Sequence, residues 1–170
     1  TPFYYKSYPT LKYAANFLKV KPVKIASITD IGFLEQPFDF PPRVVKSELI
    51  SKYTDQRDFP AIKGTSHLGL HLRFGTLSVR KLLAYALKRN QTFVNELIWR
   101  DFYHQILFHF PHVAKGAFRK EFDAIEWEND EQKFTAWCEG RTGYPMVDAG
   151  MRELNATGFM HNRVRMVVAS

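Results

Sequence analysis

The sequence predicts an all-α fold, and three observations lead to this class. From residue 44 onward, apolar residues recur at spacings of three and four, and no stretch alternates with a period of two for more than a few residues. Capping residues, prolines and glycines stand at the ends of these stretches, as they do at the ends of helices. The 170 residues are 45% hydrophobic and 24% charged, a composition that can bury a sizeable core. The chain therefore matches one folded domain, or a piece of one.

Residues 1–43 are predicted to form an extended connecting arm. Prolines break up any long helix in this range, and a short helix fits only around residues 10–18. Basic and aromatic residues are interleaved here: Lys6, Lys12, Lys19, Lys21, Lys24, Phe3, Tyr4, Tyr5, Tyr8, Tyr13 and Phe17. Such a mixture could stack on nucleic acid, but an arm that wraps over a neighbouring domain has the same composition. The arm is the preferred interpretation.

Seven helical stretches follow the arm, in residues 44–170. Ser78 is a typical N-cap residue, and Pro145 suits the first turn of a helix. Pro111 ends the longest stretch, and Gly140 and Gly158 mark the ends of two later ones. The predicted helices are 44–53, 66–73, 78–88, 92–108, 130–139, 145–155 and a last helix from residue 161.

Composition argues against several classes of protein. No apolar run approaches the roughly 18 residues of a membrane helix, and the first residues lack the pattern of a signal peptide. The single Cys138 excludes an internal disulfide and a multi-cysteine zinc site, which predicts a cytoplasmic protein. The six histidines lack metal-ligand spacing, so no metal site is predicted. The net charge of +7 points only weakly to polyanionic partners.

The two ends of the sequence predict a segment of a longer protein. The sequence begins at Thr1 without an initiator methionine. It stops at Ser170, within an apolar helical pattern that has neither a cap nor a polar tail.

The helix over 92–108 carries two stripes. An apolar stripe can face a core and contains Val94, Leu97, Ile98, Phe102 and Ile106. A second stripe holds a carboxylate, a large ring, a guanidinium and a phenol, from Glu96, Trp99, Arg100 and Tyr103. Such a face could hydrogen-bond a base edge, stack under it and hold a phosphate. The alternative is a Glu96–Arg100 ion pair beside a tryptophan packed in the core.

The stretch GTSHLG over 64–69 places small residues and two hydroxyls at the start of a predicted helix. Free N–H groups and the positive end of the helix dipole make such a start a candidate anion site. It is not a P-loop, since no Gly-Lys-Ser/Thr follows, and no strand precedes it as in a dinucleotide-binding fingerprint. An ordinary N-cap is the alternative.

The densest motif lies in the last third. TGYPMVDAGMREL over 142–154 is followed by ATGFMHNRVRM over 156–166. Asp148 and Arg152 are spaced to pair along a helix, and Asn162 and Met166 share a helix face that a planar ligand could use. This string resembles the signature of the DNA photolyase and cryptochrome family. GTSHLG and NELIWRDFY resemble two further segments of that family, in the same order, so the resemblance covers about residues 44–170.

The resemblance implies a multi-helical FAD-binding domain of photolyase type, preceded by an arm. The residues it assigns to FAD binding are Tyr53, Thr65, Ser66, His67, Leu68, Gly69, Phe93 and Arg165. Those it assigns to lesion or DNA binding are Arg57, Glu96, Trp99, Arg100, Tyr103, Asn162, Arg163 and Met166. Glu96 and Asn162 are expected to act in catalysis. Two residues depart from the usual pattern of the family. Gly69 stands where a hydroxyl residue is common, and Phe159 stands where a tryptophan is common.

The activity implied is light-driven repair of cyclobutane pyrimidine dimers in DNA, on a lesion flipped out of the duplex. Asn162 and Met166 stand where (6-4) repair enzymes carry histidines, and Trp99 distinguishes the chain from single-strand cryptochromes. Trp127 aligns with the surface end of an electron-transfer chain that reduces the flavin. The alternative for Trp127 is a half-buried anchor.

Two other functions stay open. One is a cryptochrome-type light receptor that binds FAD without repair, and the other is a helical DNA-binding segment without flavin. The resemblance also implies an antenna pigment, bound by an α/β domain outside this sequence. Without the family's remaining helices, the 170 residues are expected to bind FAD poorly and to self-associate through exposed apolar surface.

Overall fold

Helices are the regular elements of the computed structural model, which describes residues 9–21, 23–34 and 40–170. These ranges contain no strand, which confirms the all-α prediction. The α-helices are α1 (Ser47–Ser51), α2 (Tyr53–Gln56), α3 (Gly69–Arg73), α4 (Val79–Ala86), α5 (Gln91–His109), α6 (Glu131–Cys138), α7 (Pro145–Thr157) and α8 (Asn162–Val168). Short 3₁₀ helices occur at Thr10–Asn16, Pro111–Ala114 and Lys120–Ala124.

The described part of the arm is exposed. Its only helix in these ranges is the 3₁₀ helix, near the short helix predicted for residues 10–18. At the end of the arm, His71 on α3 lies with Nε2 at 2.7 Å from the carbonyl oxygen of Pro41. The arm residues Phe3, Tyr4, Tyr5, Lys6 and Tyr8 lie outside the described residues, and the division at residue 43 stays a prediction.

Several helix ends follow the predicted caps. The Ser78 hydroxyl accepts the N–H of Lys81 at the start of α4, and Pro145 occupies the first turn of α7. Gly158 ends α7 with a positive φ of 70°, where glycine meets no steric penalty. The predicted helix over 44–53 is instead two short helices, α1 and α2, and the one over 66–73 begins only at Gly69.

Two hydrophobic clusters form the core. The first lies among α1, α4 and α5 and contains Ile50, Leu68, Leu82, Leu83, Ala86, Phe93, Val94 and Leu97. The second lies between α7 and α8 and contains Met151, Met160, Val164 and Val168. Trp137 of α6 packs on the second cluster, and its indole N–H donates to the carbonyl of Val168 at 3.0 Å.

Helix α5 corrects one prediction. Val94 and Leu97 are buried as expected, but Ile98 is 55% and Phe102 46% exposed, and Ile106 is half-buried. Phe93, which the predicted stripe omitted, is buried instead. The reason is that apolar residues surround this helix almost completely, so their spacing does not select the face that meets the core.

Asp148 organises the loop between α6 and α7. Its carboxylate accepts hydrogen bonds from the backbone N–H and hydroxyl of Thr142, at 2.7 and 2.6 Å, and from the N–H of Gly143 at 3.0 Å. The predicted Asp148–Arg152 pair does not form, since these loop donors lie closer to the carboxylate. The Thr142 hydroxyl is the main reason that the pKa of Asp148 is lowered from its ordinary value of 3.8.

We expect Asp148→Asn to lower the thermal unfolding midpoint by several degrees at about pH 7, because the amide nitrogen cannot accept the bond that one carboxylate oxygen accepts. A lowered folded-state pKa stabilises the protein above pH 3.8 and loses this effect as pH falls through that pKa. The difference between variant and wild type should therefore shrink in acid. Thermal scans from about pH 7 to about pH 3 measure it, with the exposed Asp101→Asn as control. A difference that grows in acid would contradict the assignment.

Candidate functional site

A cleft of about 380 Å³, open to solvent, lies where the two hydrophobic clusters meet. From the side of the first cluster it is lined by α2 and the segment that leads into α3. From the other side it is lined by the residues that precede and begin α8. The lining residues are Tyr53, Thr65, Ser66, His67, Leu68, Gly69, Phe159, Met160, Asn162 and Arg165.

The segment over 64–69 lies directly against α2. A Cβ on Gly64 would come within 2.7 Å of the Gln56 Cβ, so the close approach requires glycine here. Further along, His67 has a φ of 52°, in the left-handed region. Its ring meets the Phe159 ring across the cleft with centroids 4.0 Å apart. The two walls are thus in contact at this end of the cleft.

The chemistry of the lining fits a flat cofactor that carries phosphates. Arg165 supplies a cation, and Thr65 and Ser66 supply hydroxyls. The first N–H groups of α3 have no acceptor within the helix and add donors beside them. A Cβ on Gly69 would meet nothing within 4 Å, so the start of α3 borders open space. The volume of the cleft is at the small end of the range for ligand sites, so a dinucleotide would extend beyond the cleft.

The structure brings together seven of the eight residues predicted to bind the cofactor. Phe93 does not line the cleft: it is buried in the first cluster, and its ring meets that of Tyr53 edge-on at 5.0 Å. Met160 was missed by the sequence analysis, because its apolar side chain also belongs to the second cluster and carries no chemical signal. Asn162, predicted to contact the lesion, lies in the same lining.

The predicted anion site differs from the observed structure in one detail. The segment with the hydroxyls does not form the first turn of the helix but precedes it, since α3 begins at Gly69. The alternative of an ordinary N-cap does not describe it either, because the N-cap residue is Leu68, which has no side-chain cap bond.

Charged side chains connect α2, α5 and α8 beside the cleft. Arg57 donates to the carboxylate of Glu96 and, at 3.2 Å, to Asp58. Asp58 also accepts from Arg163 on α8, at 2.9 Å from Nε and 2.8 Å from NH2. The guanidinium of Arg57 lies 5.6 Å from the ring centre of Tyr53, a cleft residue. This Glu96–Arg57–Asp58–Arg163 network therefore joins both walls of the cleft to α5.

The network accompanies changes in the pKa values of Asp58, Arg57 and the neighbouring Tyr53. Arg163 is the main cause of the lowered pKa of Asp58, and Arg57 adds to it. Burial raises the pKa of Tyr53, and the nearby charge of Glu96 raises it further. Partial burial disfavours the charged form of Arg57, but its hydrogen bonds to Glu96 and Asp58 outweigh this and raise its pKa overall. Both shifts favour the charged forms of Asp58 and Arg57.

The second stripe of α5 is on the surface, as a binding face requires. Trp99 is 53% and Tyr103 65% exposed, and their rings stack with centroids 6.1 Å apart. The alternative of a core tryptophan beside a Glu96–Arg100 pair is wrong: Glu96 pairs with Arg57. Arg100 instead donates to the carbonyl of Leu72, at 3.2 Å, because the end of α3 packs beside α5.

The remaining predicted residues lie at separate places. Met166 on α8 is exposed, and its sulfur lies 3.5 Å from NH1 of Arg163. Trp127 is 72% exposed, so the alternative of a half-buried anchor is wrong. Among the described residues, no three His, Cys, Asp or Glu side chains cluster so that they could hold a metal ion. No helix in the described ranges is long and apolar enough to cross a membrane.

Comparison with known proteins finds relatives of this chain. The family profile described as FAD binding domain of DNA photolyase matches residues 93–170. The chain is 46% identical over 133 residues to a deoxyribodipyrimidine photo-lyase of Vibrio cholerae, an alignment that covers 72% of the chain and 28% of the relative. It is 39% identical over 181 residues to the one of Agrobacterium fabrum, covering 97% of the chain and 37% of the relative.

A solved structure is also similar to this chain. The crystal structure of a class III photolyase from Agrobacterium tumefaciens superposes with a TM-score of 0.66 at 41% identity, covering 71% of the chain and 27% of that protein. The chain spans about a quarter to two fifths of the length of these relatives. The profile match covers most of α5 and the residues that line the cleft from the side of α8. The chain therefore belongs to the DNA photolyase and cryptochrome family, whose FAD-binding domain it matches.

Proposed function

We propose that this chain supplies the flavin cleft and the lesion-facing helix of a deoxyribodipyrimidine photolyase, a lyase that repairs cyclobutane pyrimidine dimers in DNA. The observation that carries the proposal is the connection between the cleft and α5. Tyr53 lines the cleft and meets Arg57, which holds the carboxylate of Glu96 on the face that carries Trp99. A cofactor in the cleft and a base on α5 would therefore be close neighbours.

The residues of the cleft have distinct roles in this proposal. Arg165 and the hydroxyls of Thr65 and Ser66 would hold the FAD phosphates and sugar, and Tyr53 would pack beside them. When bound, reduced and excited by light, FAD would supply the electron that opens the cyclobutane ring and would take it back once the ring has split. The exposed position of Trp127 supports a role at the surface end of the path by which the flavin is reduced.

On the DNA side, Trp99 and Tyr103 offer ring faces on which a flipped-out dimer can stack. Glu96 would accept a hydrogen bond from a base edge, since Arg57 keeps its carboxylate oriented. Asn162 would contact the lesion from the cleft, and Met166 lies on the same helix one turn later. The net charge of +7 supports a salt-sensitive attraction to DNA phosphates.

The test is light-dependent repair by the flavin-loaded full-length protein, since the 170 residues alone are expected to bind FAD poorly. We expect an absorption spectrum of bound FAD, and loss of thymine dimers from an oligonucleotide under blue light with a reductant but not in the dark. Bound flavin without repair would contradict the proposal and favour a cryptochrome-type receptor. That second candidate has support from a Synechocystis cryptochrome structure, which matches 87% of this chain and 36% of its own at 26% identity with a TM-score of 0.67.

Self-association is part of the proposal for the isolated 170 residues. Large apolar side chains are exposed on several sides of α5, among them Ile98, Phe102, Leu107 and Phe108. Such a patch on a soluble protein marks a contact surface.

A further inference from the structure

Asp58 stands at the centre of the charged network, although no motif in the sequence singled it out. It lies in the segment between α2 and α3 and does not line the cleft. One of its oxygens, Oδ1, accepts from the guanidinium groups of Arg57 and Arg163, which come from regions more than a hundred residues apart in sequence. Two cations held this close would repel each other without a carboxylate between them.

The contacts of Asp58 fix how each arginine is oriented. Arg57 uses Nε for Asp58 and NH1 for Glu96, so the two carboxylates hold the same planar group from two directions. Arg163 presents Nε and NH2 to Asp58, a forked contact that fixes the plane of its guanidinium. Arg163 lies at the start of α8, next to Asn162, and Asp58 lies in the segment that follows α2. The contact between them therefore also holds the start of α8 beside that segment.

We propose that Asp58 is a positioning residue for lesion recognition. It holds Arg163 at the rim of the cleft and, through Arg57, keeps the carboxylate of Glu96 aimed at the base. This inference rests on the proposed function. It assigns Asp58 no contact with DNA or cofactor, because its role is carried by the two arginines.

If Asp58 positions the two arginines, a substitution of Asp58 lowers the preference for the lesion without lowering the general affinity for DNA. Asp58→Asn removes a negative charge, so attraction to phosphates should stay the same or increase. Loss of charge-assisted bonds should release both arginines and lower the affinity for dimer-containing DNA. We expect the ratio of affinities, dimer-containing over undamaged duplex, to fall by about tenfold, while flavin content and the unfolding midpoint are retained.

The experiment measures both affinities in the dark, at one salt concentration, with flavin-loaded full-length protein and duplexes of the same sequence with and without one thymine dimer. Asp55→Asn is the matched control, since Asp55 also lies on the surface of this region and makes no ion pair with any described residue. Asp55→Asn removes the same negative charge, and its affinity ratio should equal that of wild type.

A second variant separates position from charge. Asp58→Glu keeps the negative charge but moves it by one methylene, so a positioning role predicts a lowered ratio for it too. An unchanged ratio in both variants, or a higher affinity for dimer DNA in Asp58→Asn, would overturn the inference while leaving the proposed function intact. A wild-type protein with no preference for dimer DNA would overturn the proposed function, and this inference with it.

Discussion

Trp99→Ala should lower the affinity for dimer-containing DNA by about ten- to a hundredfold, which is the loss expected when one aromatic ring no longer stacks on a base. The indole is half exposed on α5 and stacks with Tyr103, so its removal leaves the buried side of the helix intact. Because Trp99 does not line the cleft, flavin should stay bound. Fluorescence anisotropy with a dimer-containing duplex measures the affinity, and flavin absorbance measures cofactor content.

Phe108→Ala is the matched control for Trp99→Ala. Phe108 is also an exposed aromatic residue of α5, but at about 100° per residue it lies on the opposite side of the helix. It should therefore leave dimer affinity unchanged. Loss of flavin in Trp99→Ala, or equal loss of dimer affinity in both variants, would show that the lesion-facing side of α5 is wrongly assigned.

Gly150→Ala should lower the free energy of unfolding by about 1–3 kcal/mol, the usual cost of overpacking a core. Gly150 is buried where α7 meets α8, and a Cβ there would lie 2.5 Å from Cγ1 of Val164 and 2.9 Å from Cγ2 of Val168. Branched side chains cannot rotate both methyl groups away from such a contact. The helix-forming advantage of alanine, up to about 1 kcal/mol, offsets only part of this. Urea denaturation followed by circular dichroism measures the change.

Gly116→Ala is the control for this substitution. Its Cβ would meet nothing closer than the Asp123 carboxylate at 3.6 Å, an ordinary contact, so stability should be nearly unchanged. The variant Gly150→Ala/Val164→Ala tests the cause, because it removes the nearer of the two methyl groups that clash. The double variant should lose less stability than the sum of the two single ones. Strict additivity would exclude the clash as the reason.

The sequence predicted those features that local chemistry decides. Ser78, Pro145 and Gly158 bound helices by capping, by a fixed φ and by a positive φ, each of which acts within a few residues. The residues of the cleft could be predicted because their motifs resemble a family. The orientation of α5 could not be read from its pattern, since Ile98 and Phe102 suit a core as well as the buried residues do.

Long-range pairing is the other limit on prediction. Glu96 and Arg100 have ideal helical spacing, yet Glu96 pairs with Arg57, which directly follows α2. An exposed pair on one helix contributes only a few tenths of a kcal/mol, so a partner brought close by packing readily replaces it. The role of Asp58 was invisible for the same reason, because its contact with Arg163 exists only after the two clusters meet.

The separation of the core into two clusters bears on the cooperativity of unfolding. Each cluster buries its own side chains, while two contacts that link them, His67–Phe159 and Asp58–Arg163, lie at the partly exposed rim of the cleft. The clusters can thus open at different free energies, and their amides would exchange with solvent at two rates. A ligand that touches both walls couples these openings, so it acts as part of the core that holds the two units together.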